Sequence, residues 1–90
     1  MYQPAESITM NTAKTALEAG LQAIAGGQQQ IVLSGLHAVD SSAVATLLAW
    51  RRAADAIAQP LVLSGAPANL QSLVGLYDLT QLLHLSDVGA

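Results

Sequence analysis

The sequence predicts an α/β fold, a small sandwich in which a three- or four-stranded mixed sheet carries packed helices. Three observations point there. Two short aliphatic runs, Ile31-Val32-Leu33-Ser34 and Leu61-Val62-Leu63-Ser64-Gly65, have the length and residue type of buried strands. Between them Ala43, Leu47, Trp50, Ala54 and Ile57 recur at three- and four-residue steps, which is one stripe of a helix. The chain is 52% apolar but has no Phe, so its core is built from small aliphatic side chains that let helices sit close on a sheet. Strand, helix and strand in that order form a βαβ unit, parallel and with a right-handed crossover. The length of 90 residues fits one domain, 1–90, burying roughly 60–65% of its unfolded surface.

Taken in order, Glu6–Asn11 alternates, with Ile8 and Met10 on one face, and predicts a short edge strand. Thr12 or Thr15 starts the first helix, and Thr15-x-x-Glu18 has the pattern of a capping box. Leu17, Leu21 and Ile24 share one face of that helix, while Lys14, Glu18 and Gln22 share the other. Gly26-Gly27 ends it. After the strand Ile31–Ser34, the segment Gly35-Leu36-His37-Ala38-Val39 connects to Asp40. The second helix runs from about Ser42 to Ala58, with Val44 and Ala58 widening its apolar stripe and Arg52 facing water. Arg51 and Asp55 are four apart, a spacing that permits an ion pair. Trp50 falls on the edge of the stripe, where it serves the core or anchors an interface.

Pro60 stops the second helix, and the strand Leu61–Gly65 follows. Ala66-Pro67-Ala68-Asn69 then turns the chain into a third helix, Leu70 to about Tyr77, with Leu70, Leu73, Val74 and Tyr77 as its apolar side. Asp78-Leu79-Thr80 breaks it, a short turn covers Gln81–Leu85, and Ser86–Ala90 reads as a frayed end.

Composition excludes several classes of function. The formal charge is −3, and Lys14, Arg51 and Arg52 are the only basic residues, too few to neutralise a run of phosphates, so no nucleic-acid partner is expected. The absence of Cys rules out disulfides and thiolate metal sites and fits a cytoplasmic protein. His37 and His84 stand apart from any cluster of carboxylates, so no metal centre and no cofactor are expected. The glycines form no phosphate-binding fingerprint. Met1-Tyr2-Gln3-Pro4 has neither the basic nor the apolar part of a signal peptide. The uncharged stretches Ala19–Val39 and Ala56–Tyr77 are broken by Gly, Gln, Asn and Pro, so no membrane insertion is expected.

What remains is the junction Val39-Asp40-Ser41-Ser42-Ala43-Val44. It places two hydroxyls and a carboxylate at a helix start, where backbone N–H groups lack intrahelical partners. None of the three is followed by Glu or Gln at the third position, so no capping box closes the site. Local chemistry favours an ordinary helix cap. A phosphorylated or partner-facing hydroxyl is the functional alternative, because a phosphate there would meet helix N–H groups and add negative charge beside Asp40. Nucleophilic catalysis requires a base within reach, and His37 is the only neighbour that could serve Ser41; no catalytic residue is expected.

The segment Val-Asp-Ser-Ser-Ala-Val-Ala-Thr-Leu-Leu, with its flanking strands and Leu73-Val74-Gly75-Leu76-Tyr77-Asp78-Leu79, resembles the STAS domain of anti-anti-sigma factors and of small transporter subunits. The resemblance covers roughly Ile31 to Leu83. It implies a non-enzymatic subunit that binds the ATPase of a phospholipid-transporting ABC transporter, cytoplasmic and held at the inner membrane through that partner. By this resemblance Asp40, Ser41, Ser42, Val44 and Arg51 form the partner-binding surface, with Ser41 at the ATPase contact. The alternative it implies is a phospho-regulated antagonist of an anti-sigma factor kinase. In that class the second hydroxyl after the Asp is phosphorylated, here Ser42, with Ser41 the other candidate. Two departures stand out. The Gly common after the hydroxyl pair is Ala43, and the first helix follows one strand where many STAS domains have a hairpin.

Overall fold

The structure, a computed structural model, describes residues 4, 7–79, 83 and 85–86. The element order is β1 (Ser7–Ile8), α1 (Ala13–Ala25), β2 (Gln30–Val32), β3 (Ala38–Val39), α2 (Ser41–Ala56), β4 (Val62–Ser64), α3 (Ala68–Leu76) and β5 (Leu85–Ser86). The α/β class holds. The sheet differs from the single mixed sheet expected. β2, β4 and β5 form one three-stranded sheet with β4 in the middle, and β1 pairs separately with β3. All of these pairings are parallel, with Ile31 opposite Leu63, Leu63 opposite Leu85, and Ile8 opposite Val39.

Two strands come from segments assigned otherwise. Ala38–Val39, expected as connection, is β3, because its backbone pairs with β1. Ser86, expected as frayed end, pairs with Ser64 in β5. Two-residue strands carry no usable alternation, so only their partners define them. Of the turn expected over Gln81–Leu85, Leu83 is buried and its N–H donates to the Leu79 carbonyl at 2.9 Å. Gln81, Leu82 and His84, like Glu6 at the head of the first predicted strand, lie outside the described residues.

The first helix starts at Ala13 after Thr12, so Thr15 is inside it and the expected capping box does not form. The Thr12 hydroxyl makes no cap either. It accepts from the Thr9 N–H at 2.9 Å and donates to the Ser7 carbonyl at 3.2 Å, closing the turn after β1. That turn swings Met10 outward to 79% exposure while Ile8 is buried, so the two do not share a face. The buried side of α1 is Ala16, Gly20 and Ile24, with Leu17 and Leu21 half-buried beside it. Gly27, at φ 96°, ends the helix in the left-handed region that glycine enters at no steric cost.

Helix α2 is the centre of the core. Ala43, Leu47, Trp50 and Ala54 are fully buried, as the stripe predicted. Ile57 is not: α2 ends at Ala56, Ala58 turns into the left-handed region at φ 52°, and Ile57 is left exposed. Trp50 belongs to the core and not to an exposed interface. Its indole N–H donates to the Leu17 carbonyl at 3.2 Å, and its ring packs against Gly20, where any added Cβ would overlap it. In α3, Leu70 and Val74 are buried, but Tyr77 caps the helix with its side chain half in solvent.

The bare backbone at Gly20 is therefore a packing requirement. Gly20→Ala should cost about 1–3 kcal/mol through overpacking, despite the better helix propensity of Ala. Urea unfolding followed by emission of the single Trp checks this; an unchanged midpoint would refute the packing account.

Candidate site at the start of helix α2

Asp40 is the N-cap of α2. Its extended backbone, φ −139°, lets one carboxylate oxygen accept from the Ser42 N–H at 2.8 Å. The other oxygen accepts from the Met10 N–H at 3.0 Å, so the same carboxylate ties the β1–α1 turn to the start of α2. The backbone N–H of Met10, foremost, then the Ser42 and Ala43 N–H groups and the Ser42 hydroxyl, hold the Asp40 carboxyl below its ordinary pKa against a smaller opposing effect of desolvation. Each oxygen thus accepts one backbone N–H.

The two serines that follow face different ways. Ser41 is exposed and opens onto an apolar groove of about 250 Å³ between α2 and the end of α3, lined by Val44, Ala45, Leu48, Tyr77 and Leu79. Ser42 is half-buried and opens onto a second groove, of about 290 Å³, between α1 and α2, lined by Ala13, Lys14, Leu17, Ala45 and Thr46. Successive helix residues are rotated by about 100°, which is why neighbours in sequence flank α2 on opposite sides. The Thr46 hydroxyl donates to the Ser42 carbonyl at 2.8 Å. Val44 is buried, and what remains of its surface forms the floor of the Ser41 groove.

Arg51 is not part of this surface. It is 8% exposed, and its guanidinium points inward. One terminal nitrogen donates to the Leu61 carbonyl and the other to the Leu83 carbonyl, each at 2.8 Å, while Nε has no partner among the described residues. The expected pair with Asp55 is replaced by these backbone contacts, and burial sets Arg51 apart from the partner-binding surface expected to include it. Arg51 instead clasps α2 to the entry of β4 and to the chain just before β5. His37 is exposed, its carbonyl accepting from the Asn69 side chain at 3.4 Å, and no hydrogen bond joins it to Ser41 or Ser42. Among the described residues no group of three His, Cys, Asp or Glu could hold a metal ion. No helix of the described residues is long and apolar enough to cross a membrane.

Leu48, Tyr77 and Leu79 join the site although the sequence did not assign them to it. Leu48 stands beside the stripe, and Tyr77 and Leu79 come from the far end of α3, so only the tertiary fold brings them to Ser41.

A family model described as Mlab, STAS domain, matches residues 5–84, and the chain belongs to that family. The match extends the resemblance back through β1 and α1, beyond the stretch from Ile31 on which it first rested. No curated protein matches the chain.

The lowered Asp40 pKa fixes the sign of one pH dependence. A carboxyl with a depressed folded pKa contributes stability that is present above its unfolded pKa and lost as pH falls through the folded value. The difference in thermal midpoint between the protein and Asp40→Asn, which keeps a capping side chain, should be constant above about pH 5 and shrink below about pH 4. A difference that grows on acidification would overturn the assignment.

Proposed function

We propose that this STAS domain is a non-enzymatic subunit that binds the ATPase of an ABC transporter and stabilises or regulates it. The transporter would move phospholipids and maintain outer-membrane lipid asymmetry. The subunit would be cytoplasmic, held at the inner membrane by its partner. The observation that carries this reading is the exposed Ser41 hydroxyl at the mouth of the apolar groove formed by Val44, Leu48, Tyr77 and Leu79. A small apolar hollow with one polar group at its rim suits an inserted partner side chain, with the hydroxyl fixing its orientation. Membership of the family described as Mlab, STAS domain, is the frame in which this reading is made. The carboxylate of Asp40 contributes by holding the helix start in place, not by contact.

A second reading, a phospho-regulated antagonist of an anti-sigma factor kinase, draws on the Ser42 groove. Lys14 lines that groove, so a phosphate on Ser42 would have a cation beside it as well as the start of α2.

The test is co-expression with the ATPase subunit of the phospholipid ABC transporter from the same organism. Ser41→Asp should weaken the complex by at least about tenfold, by placing a charge at the mouth of an apolar contact. Its fold should survive, because an acid in the first turn of a helix is electrostatically favourable. Ser42→Ala should leave the complex intact. A complex insensitive to Ser41→Asp would exclude this groove, and phosphate transfer from an anti-sigma kinase that is lost in Ser42→Ala would favour the second reading.

A further inference from the structure

The end of α3 carries a charge that local physics disfavours. The Asp78 N–H donates to the Gly75 carbonyl at 3.0 Å and the Leu79 N–H to the Val74 carbonyl at 3.1 Å, closing α3 in a Schellman-type turn. The residue at the left-handed position of such a turn is commonly Gly, sometimes Asn. Here it is Asp78, at φ 57°. Ala58 ends α2 in the same conformation, so the backbone strain by itself is not distinctive. The carboxylate is. It sits at the negative end of the α3 dipole, where a cation would be favoured. Its side chain is exposed, accepts no hydrogen bond and makes no ion pair among the described residues, so it contributes no cap in compensation. Beyond it the Leu83 N–H donates to the Leu79 carbonyl.

Both residues flanking Asp78, Tyr77 and Leu79, line the groove that Ser41 opens onto. The groove residues themselves bear no charge. A residue unfavourable to its own helix, unpaired among the described residues, and set between two lining residues marks a surface kept for something outside the chain.

We infer that Asp78 is the acidic rim of the docking groove and that the partner segment seated there presents a Lys or Arg to it beside the apolar side chain that fills the hollow. This deepens the proposed function and rests on the groove being the ATPase-docking surface. A charge at the rim of an interface governs association rate and salt dependence more than packing, so its removal has a signature distinct from loss of the groove.

The experiment compares the full chain with Asp78→Asn and Asp78→Lys for binding to the co-purified ATPase subunit at low and high salt, with thermal unfolding of each free chain. Asp78→Asn should raise the thermal midpoint of the free chain, weaken the complex about 3–10-fold at low salt, and flatten its salt dependence. Asp78→Lys should weaken it further while the free chain remains folded. Binding of unchanged strength and salt dependence in both variants would overturn the role of Asp78 and leave the docking reading standing. If the unaltered chain does not bind the ATPase at all, the docking reading falls and this inference with it.

Discussion

The contact of the Trp50 indole with the bare backbone of Gly20 sets the spacing on which the rest of the structure depends. A chain with 3% aromatic residues and no Phe has few side chains large enough to fill a core alone. It places its one Trp where two helices cross and removes the opposing side chain altogether. The indole N–H then finds the Leu17 carbonyl, so the largest buried group is also satisfied. The next residue, Arg51, is rotated by about 100° and reaches across to the sheet, where it holds the carbonyls of Leu61 and Leu83. Helix α2 is thus fixed on two sides from one point near its middle, and its first turn is positioned without needing to supply core contacts of its own beyond Ala43 and Val44.

That freedom is what the site uses. Asp40 satisfies the helix start and ties it to the Met10 turn, so neither serine hydroxyl is needed as the N-cap acceptor. The geometry then separates them more sharply than their adjacency suggests. Ser41 belongs to an apolar groove shared with α3, Ser42 to a groove shared with α1 and containing Lys14. Ala45 forms the ridge between the two. Under the proposed readings, docking on one flank and modification on the other would be separate events on this helix, and a signal at Ser42 would reach the Ser41 groove only through α2 itself.

Much of this was legible in the sequence, and the failures have physical causes. The periodic stripe from Ala43 to Ala54 and the runs around Ile31 and Leu63 announced α2, β2 and β4, because long regular patterns survive tertiary context. The alternation around Ile8 likewise marked β1, whereas β3 and β5 are two residues long and defined by their partners, which no local pattern encodes. The match of Thr15 and Glu18 to a capping box was overridden by Thr12 and Thr9, which begin the helix a turn earlier. Arg51 misled because a four-residue spacing to Asp55 looks like a surface pair, whereas its actual acceptors are main-chain carbonyls, one of them 32 residues away. At the site, Asp40 could be read directly as a cap. The groove could not, since Leu48, Tyr77 and Leu79 meet Ser41 only once α2 and α3 are packed.

The uniformly parallel pairing of the described strands bears on how the chain reaches this state. An antiparallel hairpin can form from a dozen neighbouring residues, but each parallel pair here must wait for the helix that joins its strands to be laid down and docked. No strand of two or three residues persists without its partner. The sheet therefore has no local nucleus, and its growth is governed by closure of long loops. β4, the middle strand, has both its edges covered only once β2 and β5 have joined it. A polypeptide cut anywhere between β2 and β5 would lose more than the severed element, because the remaining edge of β4 would be left as an open template for association.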